Sequence, residues 1–277
     1  MKLAAKKKAD FQKTIWDYYN AHARAALPWR KSITPYRIWI SEVMLQQTQA
    51  DRVVAFFNNW MKQFPTIASL AEASQVDLLR AWKGLGYNSR ALRLKKAAQQ
   101  IVDTHRGIFP KVYEDILDLP GIGPYTAGAI TAFAYNKPIT MIETNIRRVY
   151  LHHFFKDELN VHDTDLLSVI DQTVPADRSR EWYWALMDYG AYLAKVIPNP
   201  NKRSRHYTIQ KQFKGSDRQI RGKILELLLQ KRTRSLESLT HELCDLSMDL
   251  ERIEYILSLL EQEGFLKVTN AKVTLRK

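Results

Sequence analysis

The stretch Leu119–Ala129, LPGIGPYTAGA, and the glutamate Glu42 in SEVMLQQ are the residues best placed by type and spacing to do chemistry. Gly121 and Gly123 allow a tight turn with backbone exposed on both sides, and Pro124 then opens a helix. A helix N-terminus with outward N–H groups can hold a phosphate, which fixes position on a nucleic acid without reading its sequence. A bare GxG is an ordinary turn between core helices. L-P-G-I-G-P-x-T-A between two amphipathic helices is far more specific. Glu42 lies on an otherwise apolar helix. Burial there would raise its pKa and let it keep a proton near pH 7, as a general acid requires.

The elements that must position these residues are nearly all helical. Tyr36, Trp39, Ile40, Val43 and Met44 recur at helical spacing after a Thr34 cap and a first-turn Pro35. Thr48 is placed to cap a second helix carrying Val53, Val54, Phe57, Trp60 and Met61. Further helices are predicted at 75–82, 90–104, 113–119, 124–134, 145–155, 163–174 and 180–194, with short loops marked by Gly and Pro. The segment 197–215, which contains IPNPNKRSRHYTIQKQFK, reads as a basic linker. Beyond it, three helical patterns (219–230, 235–243 and 249–263) and two strand-like pieces (265–269 and 272–276) resemble a winged helix. The last of these helices carries Asp249, Glu251, Glu254, Glu261 and Glu263. An acidic helix suits protein contact or a structural cap better than base readout.

Charge narrows the partner class. The chain of 277 residues has a formal net charge of +13. Residues 216–277 carry 11 Lys+Arg and 10 Asp+Glu, so nearly all of the surplus falls before them. That surplus suggests a polyanion, and nucleic acid is the usual one. The single cysteine, Cys244, excludes a disulfide within the chain and a metal centre built from several cysteines. No apolar run is long enough to span a membrane, and the basic start lacks an apolar segment of the secretory kind. These features lead to the expectation of a cytoplasmic or nucleoid protein, without membrane association and monomeric.

The motifs together resemble the helix-hairpin-helix DNA glycosylases, specifically the MutY-type adenine glycosylases. The resemblance runs from LPWR (27–30) through TPYRIWISEVMLQQTQ (34–49), WKGLGYNSRA (82–91) and the hairpin to TNIRRV (144–149) and LMDYGA (186–191). It implies a mainly α, two-lobe fold with a cleft between the lobes. It also implies removal of adenine from mispairs with 8-oxoguanine or guanine in double-stranded DNA. Glu42 matches the acid that protonates adenine at N7. Glu143 stands where the family usually has Asp, as the carboxylate beneath an oxocarbenium-like sugar, with one extra methylene. Asn145 matches the residue that supports this carboxylate. Tyr125 stands where strand-cleaving relatives carry lysine, and it cannot form a Schiff base, so the implied enzyme is monofunctional. Gln47 and Tyr87 match residues that wedge the duplex when a base is flipped. Thr48 and Leu85 match the lining around the opposite base. Trp29 and Arg30 match a wall of the base pocket, and Asp188 a carboxylate on adenine's polar edge. Arg147, Arg148, Lys202, Arg203 and Arg205 are phosphate candidates on charge.

The chain departs from the family pattern in three places besides Glu143. Ala25 stands where the family generally has arginine, with Arg24 one step away. The four cysteines that usually ligate a [4Fe–4S] cluster are missing, so no cofactor is expected, although a monovalent or divalent cation could sit at the hairpin. The basic linker is expected to supply the DNA contacts and closure of the cluster loop. The usual oxoguanine-reading domain is replaced by residues 216–277, for which a protein partner is one expectation. The expected domains are thus 1–196 (glycosylase), 197–215 (linker) and 216–277 (winged-helix-like). Excision of uracil or thymine, or lesion binding without catalysis, are the alternative readings.

Overall fold

Thr34 adopts extended backbone and its hydroxyl accepts from the Arg37 N–H at 3.2 Å, so Pro35 begins a helix as its sequence predicts. In the computed structural model, which describes residues 2–209, 212–245 and 248–276, this is the third helix of a mainly helical chain. In order come α1 (Ala5–His22), α2 (Pro28–Lys31), α3 (Pro35–Leu45), α4 (Ala50–Gln63), α5 (Ile67–Glu72), α6 (Gln75–Trp82) and α7 (Ser89–His105). There follow α8 (Tyr113–Leu117), α9 (Pro124–Tyr135), α10 (Thr144–Phe154), α11 (Asp163–Thr173) and α12 (Ser179–Val196). A 3-10 turn (Pro200–Arg203) leads on to α13 (Asp217–Gln230), β1 (Thr233–Ser235), α14 (Leu236–Asp245), α15 (Leu250–Gln262), β2 (Leu266–Thr269) and β3 (Lys272–Leu275). Gln210 and Lys211 of the expected linker lie outside the described residues. None of the described helices is long and apolar enough to cross a membrane.

The chain divides into two compact units, residues 1–46 with 108–209 and residues 47–107 with 210–277. The first is built around α10 and α12. Phe11 of α1 sits 4.8–5.8 Å, ring to ring, from Tyr150, Phe154, His153 and Trp182. Gly190 lets α12 lie directly on α10. A Cβ there would come within 2.5 Å of the Asn145 carbonyl oxygen and 2.8 Å of its Cβ. Glycine in a helix costs roughly 1 kcal/mol in propensity, and here it is what permits backbone contact.

In the second unit Trp60 of α4 and Trp82 of α6 meet edge to face, with centroids 5.4 Å apart, in a fully buried core. The antiparallel sheet has the order β1-β3-β2, which with α13, α14 and α15 gives a winged-helix arrangement. Its core of Ile224, Leu228, Leu239, Ile253, Leu257, Phe265 and Val273 is continuous with Leu79 of α6. Gln75 of α6 donates to the Phe265 carbonyl at 2.9 Å. Residues 216–277 therefore share a compact unit with α4–α7. The acidic helix uses part of its charge internally: Glu261 accepts from the Val268 N–H, and Asp249 caps α15 through the Arg252 N–H.

One local expectation is corrected, and two elements stand where none was expected. The N-cap of α4 is Gln49, without a side-chain cap bond, so Thr48 does not cap it. Helix α1 was not predicted because it buries only Phe11 and Ile15 among many charged residues, too few to print a periodicity. Strand β1 is three residues long and pairs only with β3.

Replacing Gly190 with alanine forces α10 and α12 apart. The expected cost is about 1–3 kcal/mol, read as a lower urea midpoint with an unchanged slope.

Candidate active site

Glu42 faces inward from α3 and is 5% exposed. The Tyr125 hydroxyl, on the first turn of α9, donates to Glu42 Oε2 at 2.8 Å. Burial carries the Glu42 carboxyl from its ordinary 4.5 to about 7. The Tyr125 hydrogen bond opposes that rise, the negative charge of Glu143 adds to it, and Arg30 opposes it weakly. Burial also pushes the Tyr125 phenol well above its ordinary value, so it stays neutral and donates. With a pKa of about 7, the Glu42 carboxyl still holds its proton in about half of the molecules at neutral pH.

Glu143 is the N-cap of α10. Its Oε1 accepts from the N–H groups of Asn145 at 2.7 Å and Ile146 at 2.8 Å. The carboxylate thus lies on its own helix terminus, where the dipole favours negative charge. Its pKa is also raised by burial, against the pull of those two N–H donors and of Arg148 and Arg147. The Asn145 side-chain amide donates to Glu143 Oε2 at 3.3 Å. Arg148 fixes the orientation of that amide. Its Nη1 donates to Asn145 Oδ1 at 2.7 Å and to the Gly190 carbonyl at 2.9 Å. One chain of contacts thus runs from Gly190 through Arg148 and Asn145 to Glu143.

Asp188, expected at a base edge, is filled from within the protein. Arg30 donates to it twice, at 2.7 and 2.9 Å. Arg24 donates through its Nε at 2.6 Å and its backbone N–H at 3.0 Å. These bonds hold its pKa below the usual carboxylate value although burial pushes the other way. Arg24 accordingly reaches the carboxylate from one position away from Ala25. Arg30 lies 5.1 Å from the Trp184 ring centroid, and Trp29 is buried.

The phosphate candidates divide. Arg148 is buried in the chain just described, and Arg147 forms a two-point ion pair with Asp163 at 2.7 and 2.9 Å. Arg203 donates to the carbonyls of Leu151 and Lys156, and Arg205 contacts His162 at 2.7 Å. Lys202 is exposed. Segment 199–205 is therefore an ordered clasp. Asn201 donates to the Thr144 carbonyl at the start of α10 at 3.1 Å, Arg203 reaches its last turns, and Ser204 bridges to Val161. Sequence reasoning missed Gly190, Asn201 and the use of Arg148. The i,i+3 spacing of Asn145 and Arg148 was the one local signal available.

At the hairpin Gly121 has φ +80, a conformation that favours glycine. Gly123 is extended, and a Cβ on it would meet nothing in the protein. In the second unit Gln47 and Tyr87 both have left-handed backbone, φ +61 and +47, unusual for such side chains. Tyr87 is 43% exposed and Leu85 is 6% exposed. Thr48 lies between Gln47 and α4. A cluster held by four cysteines does not fit this chain, whose one cysteine, Cys244, is exposed on α14.

Residues 40–165 match the family model described as "HhH-GPD superfamily base excision DNA repair protein". The chain is 34% identical over 229 residues to the adenine DNA glycosylase of Mycolicibacterium smegmatis, covering 75% of this chain and 76% of that one. It belongs to the MutY-type family of helix-hairpin-helix glycosylases. Another member, the adenine DNA glycosylase of Buchnera aphidicola subsp. Baizongia pistaciae, is 37% identical over 184 residues. That match covers 66% of this chain and 52% of the relative, so the chain spans about half of that relative's length. Among solved structures of the superfamily, a thermostable thymine-DNA glycosylase superimposes with a TM-score of 0.61 and 29% identity, covering 67% of this chain and 87% of that one.

Within this family frame the electrostatics make two predictions. Tyr125→Phe removes the bond that favours the Glu42 carboxylate, so the Glu42 pKa rises further. Glu143→Gln removes a like charge, so it falls. Titration followed by NMR of carboxyl-labelled glutamate reads both directions. The second prediction concerns stability. The Glu42 pKa is higher folded than unfolded, so its contribution is full below 4.5 and is lost as pH rises toward about 7. Glu42→Gln should therefore gain stability over the wild type across that window, by about 1–3 kcal/mol, in urea melts at pH 4 and pH 8.

Proposed function

We propose that the protein is a monofunctional DNA glycosylase that hydrolyses the N-glycosidic bond of adenine mispaired with 8-oxoguanine or guanine. The observation that carries this reading is the buried Glu42–Tyr125 pair beside an N-capping Glu143. Breaking the bond builds negative charge on the departing base and positive charge on the sugar. Glu42 gives its proton to the base, which leaves neutral. Glu143, held by two backbone N–H groups and the Asn145 amide, faces the oxocarbenium-like sugar as an anion. Water adds its hydroxyl to the sugar carbon, and its proton replaces the one the base took. Tyr125 offers no amine, so the strand stays intact at an abasic sugar. No step uses a cofactor.

Duplex DNA is the partner this reading requires. The turn at Gly121–Gly123 supports it. Space is left open outside Gly123, and the first N–H groups of α9 have no side-chain cap. Both suit close approach of a phosphate. Gln47 and Tyr87, with their strained backbones, are the residues assigned to the duplex once the base has left the stack. The 29% identity to a thymine-DNA glycosylase favours a second reading, removal of thymine or uracil opposite guanine.

A single-turnover panel over A:8-oxoguanine, A:G, T:G and U:G duplexes separates the two. Abasic product from the adenine mispairs alone is expected; product from T:G or U:G alone selects the second. Glu42→Gln should lower the rate by about 100- to 10,000-fold, and a wild-type rate in that variant would remove Glu42 as the acid.

A further inference from the structure

The chemistry above gives residues 216–277 no task. In their compact unit, the loop 84–89 and α13 enclose a groove of about 840 Å³. Six cationic side chains line it: Arg52, Lys83, Arg93, Lys96, Arg218 and Arg221. The two acids there, Glu226 and Glu263, are matched by Lys83 at 2.9 Å and Arg221 at 2.6 Å. The groove is left with a surplus of positive charge. Residues 216–277 are close to neutral as a whole, but they are not uniform: α13 brings Arg218 and Arg221 to the groove, while Glu251, Glu254 and Glu261 lie on α15.

Two exposed aromatics border the same space, Tyr87 at 43% and Phe213 at 59% exposure. The Arg218 guanidinium lies 5.7 Å from the Tyr87 ring centroid and 5.9 Å from that of Phe213. Its Nη1 also donates to the Tyr87 hydroxyl at 3.0 Å. A cationic groove with exposed aromatic faces is how proteins track a nucleic-acid strand, with phosphates on the charges and bases or sugars against the rings. Tyr87 ties the groove to the duplex, because it is the residue the glycosylase reading already places there.

We infer that this groove holds the sugar–phosphate backbone of one strand of the substrate duplex, which makes α13 part of the DNA-binding surface. The inference rests on the glycosylase reading for the nature of the duplex. It assigns Arg93 and Lys96 to phosphates and gives Arg218 two tasks, a phosphate contact and the positioning of Tyr87.

The test uses the full chain, a fluorescent duplex with A opposite 8-oxoguanine, and anisotropy across a salt series. Arg93→Ala/Lys96→Ala should weaken binding about fivefold or more and reduce the slope of log affinity against log salt by about 2, and Arg218→Ala by about 1. Lys62→Ala, an exposed cation on α4 outside the groove, should match the wild type, and circular dichroism confirms that each variant folds. Wild-type affinity and slope in both groove variants overturn the inference and leave α13 to a protein partner or to none. Binding that the groove variants weaken, in a wild type that excises no base, supports the groove and overturns the glycosylase reading instead.

Discussion

A carboxyl group buried with its proton is the constraint on which the rest of the first unit depends. Water would strip that proton near neutrality, so the site must be dry. Dryness demands large side chains around it, and α3 supplies them as an almost unbroken apolar helix. A dry carboxyl also needs one polar partner, since an unsatisfied one costs stability. Tyr125 is that partner, and a phenol fits because it donates without carrying charge. A lysine there would bring a cation and draw the proton off Glu42.

A different balance governs Glu143. Its pKa is raised by burial as well, and the helix it caps opposes that rise without cancelling it. Two N–H groups of α10 and the Asn145 amide serve one carboxylate. Two glutamates of the same intrinsic acidity are thereby assigned different tasks. One is enclosed by apolar neighbours and the other is mounted on a helix terminus.

What was legible in the sequence was mostly local. Thr34 and Pro35 marked the start of α3, Gly121 marked the hairpin, and the apolar neighbours of Glu42 foretold its burial. The order of the motifs foretold the family. The positioning network was not legible, because its links join residues far apart in the chain. Gly190 is a helix glycine whose purpose appears only when α10 lies against it. Arg148 reads as surplus charge until its guanidinium is found between Asn145 and the Gly190 carbonyl. Asp188 reads as a ligand until two arginines fill it. The segment 199–205 looked like a tether because its prolines and basic residues carry no periodicity, yet side-chain bonds to α10 give it order.

That last segment also changes what the helix carrying Glu143 is sensitive to. Asn201 and Arg203 hold α10 through a carboxamide and a guanidinium on backbone carbonyls. Neither a carboxamide nor a guanidinium is oxidised under cellular conditions, and neither exchanges with a metal pool. The clasp is therefore made of bonds that form as the chain folds. A helix held in this way keeps its place through bonds that oxidation does not reach.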